Sequence, residues 1–485
     1  MTGIAIRRPY PVLDREGIEK IHAAAMQGLE RVGVRIGTAR GRRLLKEAGA
    51  HVDGRTNVVK FPPALIQECV RKTAKRVVLY GRDSSQDADL DLKHVHICND
   101  GNGAMAIDYD TGERRSSVAD DLMRSARVSN ALDNLHVYWP MTTSMDIDAR
   151  IRSLVDYKLS FMNTDKHVQV CTTVSETAAR ELVAMASAVV GGEKELRRRP
   201  IVSSVSTTIA PLQQEGGNID AALVLGEAGV PVALFTMPTP GASGPVTLAG
   251  SLTVAAMEFL SGLAMCQLAN PGAPVIWGNG IAPLDMKTTT RGGGGPEHGL
   301  DGAAITQLAH HYGVPSLCGG FDSTASVMGT QAAIETFASG MSLVLGGADL
   351  IVGIGLIEDA RTLSLEKLVI DDEIINMLRR IADGIVVNDE TIALDVIERV
   401  GAGGTFLGQR HTMRHLREEH FMPKLLDRRS YDVWLKDGAK SIEQRAHAKV
   451  LEALAEPVPH PLEPDVVKEL DEIIHRAART PLAAA

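Results

Sequence analysis

Residues 228–284 read AGVPVALFTMPTPGASGPVTLAGSLTVAAMEFLSGLAMCQLANPGAPVIWGNGIAPL, and this stretch decides the fold. Its only charged side chain is Glu258. A run so apolar must be buried, either in a membrane or in a large core. A spanning helix needs about 20 unbroken apolar residues. Pro231, Pro238, Pro240 and Gly241 break the first half, and Asn270, Pro271, Gly272 and Pro274 break the second. The spacing instead predicts a strand over 232–235, a Gly/Pro loop, a helix over 247–268 and a strand over 275–277. The helix is apolar nearly all round and so must be deeply covered. Strands apolar on both faces and separated by a helix describe a βαβ unit of a parallel sheet.

The same pattern extends in both directions. Short apolar runs followed by Gly/Pro/Thr-rich turns occur at HVHIC (94–98), HVYWP (136–140), HVQVC (167–171), IVSSVS (201–206), VALFT (232–236), VIWGN (275–279), PSLCGG (315–320) and LIVGIG (350–355). After the first two, the runs recur about every 30 to 40 residues, the size of a β-helix-β step. Eight such units predict a TIM (β/α)8 barrel. An open doubly wound sheet is the alternative, but no GxGxxG fingerprint follows any of the strands. The first unit is unusual, because NDGNGAMAIDYDTGERR reads as a hairpin rather than a helix.

The flanks are expected to pack on the barrel. Residues 1–93 read as an N-terminal cap of helices and small strands, with VVLYGRD and ADLDL pairing as a hairpin around Ser84 and Ser85. Residues 94–370 are assigned to the barrel and 371–485 to a charged, helical C-terminal extension that packs on it or serves a contact between copies in a homo-oligomer. A net charge of −9 argues against nucleic acid as a partner. Five widely spaced cysteines without a CxxC predict reduced thiols and a cytoplasmic protein.

In a barrel, the residues just past each strand form the site. Those singled out are Asp100, Asn102, Tyr138, Trp139, Phe235, Met237, Trp277, Phe321 and Asp322. The chain has only three Trp, seven Tyr and eight Phe, yet five of these rings fall at strand ends. Aromatic faces around a pocket suit a quaternary ammonium ion. No catalytic side chain stands out. No metal ligand set is expected: His411 and His415 lack the HExxH pattern, and His94/His96 and His310/His311 read as structural or surface pairs. GASG (241–244) and GGGG (292–295) lack the Lys and Ser/Thr of a phosphate loop, and the second reads as a mobile lid or a plain surface loop. Glu258 reads as a satisfied internal carboxylate or a site group.

Three long motifs carry a resemblance. They are PTPGASGPVTLAGSLTVAAMEFLSGLAMCQLANPGAPVIWGN (238–279), FDSTASVMGTQAAIET (321–336) with GGADLIVGIGLIEDARTLSLEKLVIDDEI (346–374), and TFLGQRHTMRHLREEHFMPKLLDRRSYDVW (405–434). In these the chain resembles the trimethylamine methyltransferase superfamily over essentially its whole length. The resemblance implies a TIM barrel, a methylated amine as substrate, and a separate corrinoid protein whose cobalamin accepts the methyl group. It implies no cofactor tightly held by this chain. Family members that demethylate trimethylamine carry pyrrolysine, whereas this sequence has only the twenty standard residues. Pyrrolysine-free relatives use quaternary amines such as glycine betaine, proline betaine or carnitine. The implied activity is therefore transfer from a quaternary amine to Co(I). The alternatives are a betaine-binding barrel without methyl transfer, and a methyltransferase for another methylated amine.

Overall fold

The computed structural model describes residues 3–6, 9–458 and 460–479. Its centre is a closed ring of eight parallel strands: β1 (His94–Asn99), β2 (Val137–Tyr138), β3 (His167–Val170), β4 (Val202–Thr207), β5 (Val232–Thr236), β6 (Val275–Asn279), β7 (Ser316–Gly319) and β8 (Leu350–Ile354). Each pairs with the next, and β8 pairs back onto β1. The surrounding helices are α1 (Ala119–Ala131), α2 (Arg152–Asn163), α3 (Glu176–Val190), α4 (Gly216–Glu227), α5 (Leu248–Ala269), α6 (Pro296–Tyr312), α7 (Thr330–Gly346) and α8 (Leu365–Asp383). The predicted hairpin after β1 is present, with Met105–Ile107 antiparallel to Arg114–Ser116.

The apolar run 228–284 explains itself in this frame. Strands β5 and β6 are buried along their whole length. Helix α5 is the one helix among the described residues long and apolar enough to cross a membrane, and it is mostly buried inside the chain. Its inner face meets the barrel, and its outer face is covered by the N-terminal helices Arg15–Arg31, Ala39–Glu47 and Pro63–Lys72. The cap thus packs on the barrel through α5. Glycines set the distance: a Cβ on Gly28 or Gly41 would fall 2.5 Å from the sulfur of Met257 or 2.7 Å from that of Met265.

The hairpin Val77–Leu79 with Ala88–Leu90 closes the barrel's N-terminal end. Val77, Leu79, Ala88 and Leu90 join the inward-facing Cys98, Val137 and Val205 in one apolar plug. Glu258 proves to be an internal ligand for the β4–α4 connection. Its Oε2 accepts from the Thr208 hydroxyl at 2.6 Å and its Oε1 from the Leu212 N–H at 2.8 Å. Burial pushes this carboxyl up to about 7.

The boundary read at 370 needs correction, because it falls inside α8. The charged run DDEIINMLRRIAD is the second half of the barrel's last helix, and Asp371, Asp372 and Glu373 are buried in it: Asp371 pairs with Lys367 at 2.5 Å. Beyond α8, the helix Ile442–Ala455 returns along α8 and α1, and Pro464–Arg479 packs on α3 and α2.

Two outcomes follow from this packing. Trp277→Ala should cost about 3–5 kcal/mol in denaturant unfolding. Glu258 ionises more readily in the unfolded chain. The stability linked to its raised value is full below about pH 4 and lost as pH rises through about 7. Thermal melts should therefore decline across that window, and Glu258→Gln should flatten part of the decline.

Candidate active site

Residues alternate between the two sides of a strand, and in this barrel the parity is plain. Val137 and Trp139 face inward with Ala233, Phe235 and Ile276. Tyr138 and Trp277 face outward into the helix layer, where Phe321 also packs. The expectation of five rings around one pocket is therefore corrected for three of them. The Tyr138 hydroxyl bonds to Ser125 Oγ at 3.1 Å and to the Leu122 carbonyl of α1. Trp277 stacks on Phe259 of α5 at 4.4 Å and near Tyr312 of α6. Phe321 lies so close to α7 that a Cβ on Gly340 would meet its ring at 2.1 Å. Asn102 follows Asp100 and Gly101 at the end of β1. It occupies a left-handed turn, with φ 65°, and its N–H donates to the Pro140 carbonyl.

The remaining candidates form one contiguous surface at the C-terminal ends of the strands. Trp139 lies against Gly101, where a Cβ would meet the indole at 2.1 Å. Gly101 follows Asp100, whose carboxylate accepts the Gly101 N–H at 2.8 Å. Phe235 covers Gly278 and Gly280 of the β6 end, and Met237 adjoins Gly280. The Gly280 carbonyl accepts from Arg291 Nη2 at 3.2 Å. Arg291 reaches Asp359 at 2.5 Å and Asp322 at 3.7 Å. Asp322 in turn stands 2.8 Å from Nε2 of the fully buried His298. His298 Nδ1 faces the Ile281 carbonyl at 2.5 Å, so Nδ1 carries its hydrogen.

The electrostatics are lopsided. Three carboxylates, Asp100, Asp322 and Asp359, share one guanidinium. Desolvation, then the charge of Asp322, pushes the Asp100 carboxyl up to about 8, although Arg291 and Lys367 oppose it. Desolvation also raises Asp359. Lys367 is occupied by Asp371, and together they brace the rim: Lys367 Nζ donates to the Phe321 carbonyl, and Asp371 accepts the Gly355 N–H. Buried donors without a partner here include Trp139 Nε1 and Arg291 Nε. The backbone N–H groups of Gly101 and Gly320 are already used, on Asp100 and on the Val352 carbonyl.

The glycine run 292–295 is packed. It follows a small hairpin, Leu284–Asp285 with Thr290–Arg291. A Cβ on Gly293 would meet Asp359 at 2.1 Å, and one on Gly294 the Glu335 carboxyl at 2.5 Å. The run carries Arg291 back over the mouth. A cleft of about 590 Å³ lies elsewhere, beside Arg82, Arg199 and His460, and holds none of these groups.

With this geometry in view, similarity to known proteins is informative. The family described as trimethylamine methyltransferase (MTTB) matches residues 4–481. The chain belongs to the trimethylamine methyltransferase family. The trimethylamine methyltransferase MttB of Desulfitobacterium hafniense (strain DSM 10664 / DCB-2) is 32% identical over 95% of this chain and 92% of its own. The glycine betaine methyltransferase of D. hafniense (strain Y51) is 30% identical over 96% of each. Among solved structures, the monomethylamine methyltransferase MtmB of Methanosarcina barkeri superposes with a TM-score of 0.45 and 11% identity over 97% of this chain and 95% of its own.

In this trimethylamine methyltransferase family member, His298 and Asp359 were missed by sequence reading. Asp359 lies five residues beyond β8, and His298 in the first turn of α6. Both fall outside a search confined to the residues immediately after each strand. A signal was available for His298, since it follows the glycine run that returns Arg291 to the mouth.

Above about pH 8 Asp100 is ionised, and below it the carboxyl is neutral. Affinity for a simple onium probe, tetramethylammonium, should therefore rise several-fold between pH 6.5 and 9 in titration calorimetry. Asp100→Asn should bind weakly and show a flat profile. A flat profile in the unaltered chain would remove Asp100 from the site.

Proposed function

We propose that this methyltransferase-family chain moves a methyl group from a quaternary amine, glycine betaine or a related betaine, to the Co(I) of a separate corrinoid protein. The observation that carries this reading is the meeting of Trp139 and Phe235 with the excess of carboxylates at the barrel mouth. A quaternary ammonium ion has no N–H to donate. It is held by ring faces and by charge, and both are supplied here. The carboxylate of a betaine needs donors, and Arg291 Nε with Trp139 Nε1 are buried without partners. A dipolar substrate would thus find complementary groups for both ends.

Co(I), presented by the corrinoid protein, is the nucleophile when the two proteins meet. This chain's residues position the methyl group for in-line attack and exclude water. A quaternary substrate leaves as a neutral tertiary amine, so no proton must be delivered to the nitrogen. A tertiary amine would expel an anion unless activated, and the chain has only the twenty standard residues. The reaction therefore asks for placement and desolvation more than for an acid. The partners we propose are the corrinoid protein and further copies of this chain, in the cytoplasm, with neither nucleic acid nor membrane engaged. The cobalamin belongs to the partner, and no tightly held cofactor is assigned to this chain.

The test is a panel: glycine betaine, proline betaine, carnitine, choline and trimethylamine, each with a relative's corrinoid protein held as Co(I). Loss of the Co(I) absorbance is expected with at least one betaine and not with trimethylamine. Arg291→Lys should lower kcat/KM for that betaine about 10- to 100-fold. Betaine binding by calorimetry without turnover would instead identify a binding protein, and turnover of trimethylamine alone would overturn the substrate class.

A further inference from the structure

The surface changes character beyond α8. Among the described residues, ten large apolar side chains are exposed in the first 380, and ten more crowd into 385–418 alone. Ile385 is 83% exposed, Val387 75%, Leu407 85% and Met413 73%. This segment is ordered as a helical hairpin. Asp389–Ile392 and Leu394–Val400 form one arm and Arg410–Glu419 the other. The arms are tied by Arg414 to Glu390 at 2.8 Å and by His411 Nε2 to the Glu390 carbonyl at 3.1 Å. Yet Asp389–Ile392 and Arg410–Glu419 bury no side chain at all, and Leu394–Val400 buries only Val396. A helix polar and apolar without a covered face gains little from packing.

The ten side chains, 38–85% exposed, leave an apolar surface of the scale that marks an interaction site. We infer that the 385–418 hairpin is an assembly element that docks on a second copy of this chain. Position argues for that occupant over the corrinoid protein. Both ends of the hairpin are pinned to the last turn of α8, where Arg380 donates to the carbonyls of Gly384 and Glu419 at 2.8 Å each. The 19-residue α8 runs about 28 Å from the rim, so the hairpin leaves from the end of the barrel opposite the mouth. A protein that must approach the mouth is badly placed to cover it. A copy of this chain, present in every state, is well placed. The inference is independent of which amine is the substrate.

The experiment is sedimentation velocity on the full chain at micromolar concentration, with hydrogen exchange across a dilution series. The unaltered chain should sediment as a dimer or larger, with hairpin amides protected and losing protection on dilution. The double variant Ile385→Glu with Leu407→Glu alters two side chains that pack on nothing internal. It should sediment at single-chain mass with an unchanged far-UV dichroism spectrum. Single-chain mass for the unaltered chain would overturn the inference. So would a double variant that assembles normally but no longer binds a relative's corrinoid protein, which would assign the hairpin to that partner.

Discussion

The structure depends on one geometric constraint, the two-residue period of a strand inside a closed sheet. Each strand gives alternate side chains to the barrel interior and to the helix layer. Trp139 and Phe235 therefore look into the barrel, while Tyr138 and Trp277, also near strand ends, look away. A ring's place in the chain to within one residue decides whether it meets a ligand or a helix. The interior narrows to a plug of small and branched side chains at one end, and at the other Phe235 packs directly on Gly278 and Gly280.

This constraint also explains what the sequence could and could not disclose. The positions of the eight strands were legible, since buried runs separated by Gly/Pro turns leave a clear mark. The facing of each side chain was not. Parity is usually read from alternation of apolar and polar residues, and strands buried on both faces have none. VALFT and VIWGN look alike, yet one sends its ring inward and the other outward. Asp100 and Asp322 were legible as residues at strand ends. Their interaction, and the single guanidinium they share with Asp359, depends on which strands adjoin across the ring, and Asp359 and His298 lie too far along their loops.

Helix α5 shows the same limit from another side. Its all-round apolarity announced burial but not the identity of the cover. The cover is the N-terminal cap, docked through glycines too close to admit a side chain. Glu258, the one charge in that stretch, was open between structure and chemistry. Its two bonds to the Thr208 hydroxyl and the Leu212 N–H assign it to holding the connection that joins cap and barrel.

The mouth is the opposite case. Glu258 is satisfied, whereas the carboxylates at the rim outnumber their counter-charges, and desolvation with the charge of Asp322 raises Asp100 and Asp359. A folded chain gains nothing from gathering three acids around one guanidinium in a poorly solvated place. Local arrangements that oppose stability concentrate where function demands them. The quaternary ammonium proposed above would supply the missing positive charge, and the indole face, phenyl ring and thioether beside the carboxylates suit its apolar shell. Placed there, a cation would both relieve the repulsion and find its apolar shell matched. On the proposed function, the site selects its guest by the charge that the protein itself leaves unbalanced.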